Sequence, residues 1–154
     1  MIPNLLSKQA IPDKIPKEMQ KIVRKLKKCK TKKECLQMAY DAVLENHKGA
    51  RYGVEKYFPV LFVRNINLLW WINRMHCTSL AFLTRVLLIK SKCFTEEDIK
   101  LKTIFPSGTL CPHSFIRVNI GRKWVDADPW ATSALNMPLG EFYGQEKYKT
   151  IVEK

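Results

Sequence analysis

The first third of the chain repeats apolar residues at helical spacing, with lysines on the opposite side. The apolar set is Ile15, Met19, Ile22, Val23, Leu26 and Cys29. This pattern predicts an amphipathic helix whose apolar stripe packs on the rest of the protein. Thr31 followed by Glu34 is a capping-box signature, so a second helix is expected to begin there and to end before Gly49.

The middle of the chain is apolar on nearly every side. Residues 54–73 are rich in large apolar and aromatic side chains without strict alternation, which predicts one or two buried helical pieces interrupted near Pro59 and Asn65. Residues 77–91 have few polar positions on any face. This stretch is predicted to form a central buried helix that begins at Cys77.

The second half changes to a period of two, which is typical of a sheet. Thr95 and Asp98 are spaced to cap a short helical turn before it. Residues 114–120 and 123–128 flank Gly121 and Arg122, and glycine at the first central position of a two-residue loop suits a type II′ hairpin. Beyond Asn136 a turn and a short helix are expected.

Together these elements predict an α+β fold in which N-terminal helices pack on a small antiparallel sheet. The 154 residues are 46% hydrophobic, which fits one domain over residues 1–154 and excludes a disordered or fibrous chain. Residues 1–12 contain two prolines and no continuous apolar run, so this part is expected to be irregular and not a secretory signal.

The cysteine pattern favours a reducing compartment. Five cysteines, an odd number, show no C-x-x-C pair, and neither disulfides nor a metal site is expected from their spacing. The apolar stretches are broken by arginine and asparagine, which a membrane span would not tolerate. A cytoplasmic protein is therefore predicted.

The charge is concentrated near the start of the chain. The net charge is +13, and between Lys14 and Lys33 there are ten Lys or Arg residues and a single acid, Glu18. The simplest interpretation is a solvated helix face, because no aromatic residue is interleaved for base stacking. The alternative is a surface that attracts an acidic polypeptide, nucleic acid or an anionic membrane surface.

The hairpin register identifies a carboxylate partner for His113. With Gly121 and Arg122 as the loop, Arg117 lies opposite Asp126, residue 115 opposite Asp128, and His113 opposite residue 130. His113 is then a diagonal neighbour of Asp128, near enough for the carboxylate to bind the imidazole. Asp128 is predicted to fix the tautomer of His113, while Asp126 forms an ion pair with Arg117.

Cys77 is placed to act as a nucleophile. The first amides and the dipole of a helix favour a thiolate at the helix start, and the same amides stabilise an oxyanion. The opposing interpretation is that Cys77 is a small buried residue of a core helix. The nearby pair of His113 and Asp128 favours the chemical interpretation.

The order and spacing of these three residues resemble a known superfamily. Cys77 is followed after 36 residues by His113 and after 15 more by Asp128, within the block HSFIRVNIGRKWVDADP at residues 113–129. This arrangement is similar to the transglutaminase-like superfamily. The resemblance implies a papain-like α+β core over about residues 65–130, with Cys77, His113 and Asp128 catalytic and no cofactor or metal needed.

The function expected from this resemblance is thiol-dependent acyl transfer or hydrolysis at a carboxamide or peptide bond of a peptide or protein substrate. The chain departs from the family pattern in three places. The glycine that commonly follows the catalytic helix is missing from residues 87–91, Ser114 and Phe115 follow His113 where alanine and tryptophan are common, and His76 precedes Cys77. The alternative function is a non-catalytic interaction module that uses the basic surface.

Four further residues have competing interpretations. Trp70 and Trp71 either pack in the core, which is favoured, or line a substrate groove. His76 is expected to contact solvent or a helix cap, because neighbouring helix residues point about 100° apart. Cys111 could regulate the site by pairing with Cys77.

Overall fold

The computed structural model describes residues 9–50, 59–106 and 111–145 and has an α+β architecture, as predicted. In chain order the elements are α1 (Lys17–Leu26), α2 (Lys32–Asn46), β1 (Lys48–Gly49), α3 (Ile66–Trp70), β2 (Arg74–Met75), α4 (Cys77–Lys90), β3 (Ile99–Ile104), β4 (His113–Asn119), β5 (Trp124–Ala127) and α5 (Pro129–Leu135). Within these ranges, no helix has the length and apolar character needed to cross a membrane. Residues 54–58 of the predicted apolar helical stretch lie outside the described residues.

The two predicted N-terminal helices are present. Helix α1 buries Met19, Val23 and Leu26 along one side. At the start of α2 the Thr31 hydroxyl accepts the Glu34 amide at 3.1 Å, as a capping residue should. The Glu34 carboxylate accepts the amide of Lys30 at 2.8 Å, so its return bond reaches one residue further back than in a standard capping box.

Helix α4 is the centre of the protein. All residues from Cys77 to Leu88 are buried, and the helix packs against β4 on one side and against α1, α2 and α5 on others. A fully buried leucine contributes about 1.5–3 kcal/mol through removal of apolar surface from water, and α4 contains four leucines with no more than trace exposure. The expected layout is corrected in one respect: α1 and α2 pack mainly on α4, which covers the sheet.

The main sheet has the order β3-β4-β5 and is antiparallel throughout. The predicted hairpin register is confirmed, since Arg117 pairs with Asp126 and Val118 with Val125. The amide of Ile120 donates to the carbonyl of Lys123 at 3.0 Å and closes a two-residue loop. Gly121 has a φ of +111°, a conformation that glycine adopts without steric cost and that the first central position of the predicted turn requires.

The end of the hairpin differs from the prediction. Strand β5 ends at Ala127, and Asp128 is the N-cap of α5 with Pro129 at the first helical position. The predicted pairings of residue 115 with Asp128 and of His113 with Trp130 are therefore wrong, because Trp130 lies on a helix. Aspartate before proline is a helix-start signal that overrides continuation of the strand. The helix spans Pro129–Leu135 and is capped by Asn136, which adopts a left-handed conformation with φ of +58°. Turns follow at residues 139–140 and 143–144, as predicted beyond Asn136, and the predicted short helix falls largely on residues 146–154, which lie outside the described residues.

A short parallel pair, β1 with β2, was not predicted. Gly49 pairs with Met75, two residues before Cys77, and the amide of Ala50 donates to the carbonyl of Met75 at 3.0 Å. A Cβ on Gly49 would lie 2.9 Å from Cδ1 of Trp130, so only glycine allows this close approach to α5. The pair therefore ties the chain segment before Cys77 to the helix that follows Asp128.

Candidate active site

The structure brings Cys77, His113 and Asp128 together from three different elements. Cys77 is the first residue of α4, His113 is the first residue of β4, and Asp128 caps α5. Because α4 packs on both β4 and α5, the three side chains meet where these elements converge. They are almost entirely buried, at 8%, 5% and 0% exposure respectively.

His113 and Asp128 form a close pair. Nε2 of His113 lies 2.5 Å from Oδ2 of Asp128. The same carboxylate accepts the amide of Ala131 on Oδ1 at 3.0 Å and the amide of Tyr143 on Oδ2 at 3.1 Å. These two amide donors hold the buried carboxylate in place, so Asp128 presents a fixed acceptor to the imidazole.

The neighbouring carboxylate has a different partner, as the register predicts. Arg117 donates from Nε and Nη2 to the two oxygens of Asp126, at 2.6 and 3.0 Å. This bidentate pair lies on the partly exposed part of the hairpin. Of the two aspartates in the hairpin block, Asp128 is therefore the one that binds His113.

The Cys77 thiol lies beside the imidazole. Its Sγ accepts the amide of Ser114, the residue that follows His113, at 3.4 Å, and the thiol interacts electrostatically with the His113 imidazole. Since Nε2 of His113 binds Asp128, Nδ1 is the ring nitrogen left for the thiol. The imidazole thus bridges a thiol and a carboxylate.

The surroundings favour the protonated imidazole. Burial by itself lowers the pKa of His113, but hydrogen bonds to Asp128 and Cys77, together with the charges of both groups, raise this pKa to about 9. The geometry can therefore take a proton from the thiol and hold it on the ring. An imidazole beside a thiol is the arrangement that activates a cysteine as a nucleophile.

The Cys77 side chain belongs to the first residue of α4, at the N-terminus of the helix. The amides of Ser79 and Leu80 both donate to the carbonyl of His76, at 3.1 and 3.2 Å, and these are the first bonds of the helix. The amide of Cys77 precedes them, at the positive end of the helix dipole. An anion that forms next to Sγ would be stabilised by this helix terminus.

Aromatic rings surround the imidazole and were missed by the sequence analysis. Trp130 lies edge-on to His113 at 5.3 Å between ring centroids, Tyr143 at 5.5 Å, and Phe115 stacks at 6.4 Å. The indole N–H of Trp130 donates to the carbonyl of Ala50 at 3.2 Å, which fixes the ring over His113. These rings keep water away and strengthen the charge interactions inside the site.

One missed feature had a sequence signal and another had none. Asp128 followed by Pro129 is a helix-start signature, so the hydrogen bond from the Ala131 amide to the Asp128 carboxylate could have been predicted. The hydrogen bond from the Tyr143 amide to Asp128 had no such signal, because it depends on how the chain folds back after α5.

Tyr40 connects α2 to α5. Its hydroxyl forms a hydrogen bond with the Thr132 hydroxyl at 2.6 Å, and burial raises the pKa of Tyr40.

The remaining candidates are settled by their exposure. His76 was expected to contact solvent or a helix cap, and it is the N-cap residue of α4 with a buried side chain. Trp70 is in the core and packs against His47, as favoured. Trp71 is 73% exposed, so its assignment to the core is wrong. Cys111 is exposed, and both it and Cys77 are free thiols.

Comparison with known proteins gives no relative for this chain. No protein-family model matches the sequence, and no curated protein or solved structure is significantly similar to it. The resemblance to the transglutaminase-like superfamily therefore depends on the residues and spacing described above.

Proposed function

We propose that this protein carries out thiol-dependent acyl transfer or hydrolysis at a carboxamide or peptide bond. Cys77 is the nucleophile, His113 the general base and then acid, and Asp128 the residue that orients the histidine. The observation that carries the proposal is the His113 imidazole held between the buried Asp128 carboxylate and the Cys77 thiol. A purely structural histidine would not need an ionised partner on one side and a thiol on the other.

In the first half of the reaction, Nδ1 of His113 takes the proton from Cys77 and the thiolate attacks the substrate carbonyl carbon. The carbonyl π electrons move to oxygen, and the amide of Cys77 at the start of α4 stabilises the oxyanion. When the intermediate collapses, the carbon–nitrogen bond breaks and His113 gives its proton to the leaving ammonia or amine. A thioester on Cys77 remains.

In the second half, His113 takes a proton from water or from a second amine, which attacks the thioester. The carbon–sulfur bond breaks and the proton returns to the sulfur, so a carboxylic acid or a new amide is released. Asp128 stabilises the imidazolium in both halves without being protonated itself. Water as acceptor corresponds to a protease or deamidase, and an amine corresponds to a transglutaminase.

The family assignment belongs to the same proposal. A cysteine at the start of a central helix, a histidine on a strand and an aspartate after a short glycine turn are the features that support a transglutaminase-like, papain-like core. Their meeting in space is an independent argument, since the three residues are far apart in sequence. A peptide or protein is the substrate class that this chemistry implies.

The first test is the reactivity of Cys77. Iodoacetamide near neutral pH, followed by mass spectrometry of the labelled peptides, should modify Cys77 at least about tenfold faster than the four other cysteines, because the His113 imidazole lies beside the Cys77 thiol. Cys29 and Cys35 are internal references, since burial raises the pKa of both thiols. Equal rates at Cys77 and Cys93 would favour the alternative, a non-catalytic interaction module.

The second test separates hydrolysis from transamidation. A library of glutamine-containing peptides is incubated with the protein, with and without a labelled primary amine, and ammonia release and label incorporation are both measured. Ammonia with no label indicates a deamidase, label indicates a transglutaminase, and backbone cleavage indicates a protease. Cys77→Ser is the matched control and should remove whichever product is found.

A further inference from the structure

A line of positive charge runs along the solvent side of α1. Lys17, Lys21, Arg24 and Lys28 recur every three or four residues, so they share one side of the helix and of the turn that follows it. We call these four residues the basic ridge, and all four are exposed. The buried side chains of α1 lie on the opposite side of the helix.

The surroundings of the basic ridge are also cationic. Further exposed cations on either side are Lys14, Lys25, Lys27, Lys30 and Lys33. Lys32 differs, because it forms an ion pair with Asp98 at 2.8 Å. The exposed carboxylates of α2, Glu34, Asp41 and Glu45, line a groove between α1 and α2 that also contains Lys25 but none of the four ridge residues. The ridge therefore presents a nearly unbroken positive surface.

The apolar side of α1 is already used by the core. Met19 and Leu26 have no exposed surface, and α1 packs on α2 and α4. A helix that inserts into a membrane interface needs a free apolar face, because charge alone gives weak attachment. The basic ridge therefore has only electrostatic attraction to offer a partner.

We propose that the basic ridge is a docking surface for double-stranded DNA, bound through the phosphate backbone without base readout. Duplex DNA carries about one charge per 1.7 Å of axis, and release of its condensed counterions drives association with lysines. An extended acidic peptide has at most about one charge per 3.3 Å, so the same ridge gains less from it. The charge density of the ridge thus fits a duplex better than a peptide.

Two further observations select the form of nucleic acid. No aromatic residue occurs between Lys14 and Lys33, so single strands have no stacking platform on this surface. An α-helix about 10–12 Å across fits the major groove of B-form DNA, about 12 Å wide, whereas the major groove of A-form RNA is narrow. Lysine predominates over arginine in the ridge, which suits attraction without bidentate base contacts.

The test uses the full chain and a 20-base-pair DNA duplex of mixed sequence. Binding is measured by fluorescence anisotropy from 50 to 200 mM salt for the wild type and for two quadruple glutamine variants. The test variant replaces Lys17, Lys21, Arg24 and Lys28. The control variant replaces three lysines and one arginine exposed elsewhere, Lys48, Lys92, Arg122 and Lys123. Both variants lose four positive charges, and circular dichroism checks that both remain folded.

The proposal predicts that the slope of log affinity against log salt is smaller in magnitude by about 3–4 in the test variant than in the wild type. In the control variant the slope should change much less. Scrambling the DNA sequence should leave the affinity unchanged. Equal losses in the two variants would overturn the proposal, since they would indicate diffuse attraction to the net charge. Tighter wild-type binding to an RNA duplex, to vesicles with anionic lipid or to poly-glutamate at the same salt would also overturn it.

Discussion

The candidate active site and the basic ridge both contain clustered ionisable groups, but those of the site are buried and those of the ridge are exposed. In the site, His113 and Asp128 are buried and contact each other at 2.5 Å. In the ridge, four cations project into water from a helix whose other side forms the core. Charges that are poorly screened interact strongly, whereas exposed charges are screened by water and salt. One change in the site should therefore have a large effect, and changes in the ridge should be small and additive.

The largest effect should come from the site itself. Replacing Cys77 or His113 with alanine is expected to lower amide-cleaving or amide-exchanging activity by about 1,000-fold or more, and Asp128→Asn by at least about 100-fold. Asparagine at position 128 keeps an acceptor for the Ala131 amide, so the helix cap survives. The measurement is the initial rate on the substrate found in the amide assay.

Asp126→Ala is the control for this first prediction, because Asp126 lies only two residues before Asp128 but binds Arg117. Its activity should stay within about threefold of the wild type. Inactivation by Asp126→Ala together with an active Asp128→Asn would show that the wrong aspartate has been assigned to His113.

The next largest effect is expected on how the free energy of unfolding depends on pH. The folded pKa of His113, about 9, lies above its ordinary value of 6.5, so the folded state holds more protons between these values. The stabilisation is complete below about pH 6.5 and is lost as the pH rises towards 9, by up to about 3 kcal/mol. Urea unfolding at pH 6, 7.5 and 9 should show this loss in the wild type and not in His113→Gln. Parallel curves for the two proteins would contradict the prediction.

A third prediction concerns the coupling between thiol and imidazole. The iodoacetamide rate at Cys77 should begin to rise at a pH at least about one unit lower in the wild type than in His113→Ala, because the imidazolium stabilises the thiolate. Peptide mapping across pH 5–10 gives both profiles. If the two pH profiles coincide, Cys77 and His113 are not coupled in solution. The groups in the site would then titrate independently, like those in the ridge.

A smaller effect is expected at the edge of the site. The Arg117 and Asp126 pair is bidentate but partly exposed, so Asp126→Ala should lower the free energy of unfolding by about 1 kcal/mol or less. The loss should shrink as the salt concentration in the urea titration increases. If the loss in free energy of unfolding does not change with salt, the Arg117–Asp126 pair is shielded from solvent like the groups in the site.

The smallest effect is expected from the ridge. The quadruple glutamine variant of Lys17, Lys21, Arg24 and Lys28 should alter the iodoacetamide rate of Cys77 by less than about twofold, because screened charges beyond a Debye length have little influence. The rate is measured at 0.15 M salt and pH 7. A tenfold loss would show that the ridge contributes to the electrostatics of the site.

The sequence by itself determined the two N-terminal helices, the central helix and the hairpin register, but not the β1–β2 pair or α5. Helix periodicity and a capping threonine predicted α1 and α2, and the glycine turn set the pairing of Arg117 with Asp126. These features follow from short-range rules, since the period of side chains and the turn geometry involve residues close in the chain. The same register pairs Asp126 with Arg117 and leaves Asp128 for His113, although the predicted pairings of residue 115 with Asp128 and of His113 with Trp130 are not formed.

Only the tertiary structure decided how the site is assembled and what surrounds it. The meeting of Cys77 with His113, the amide from Tyr143 and the ring of Trp130 over the imidazole all join residues distant in sequence. The position of α4 between the N-terminal helices and the sheet was likewise invisible to local patterns. Burial and long-range packing depend on the whole chain, and in this protein they set the protonation of His113 and make Gly49 necessary beside Trp130.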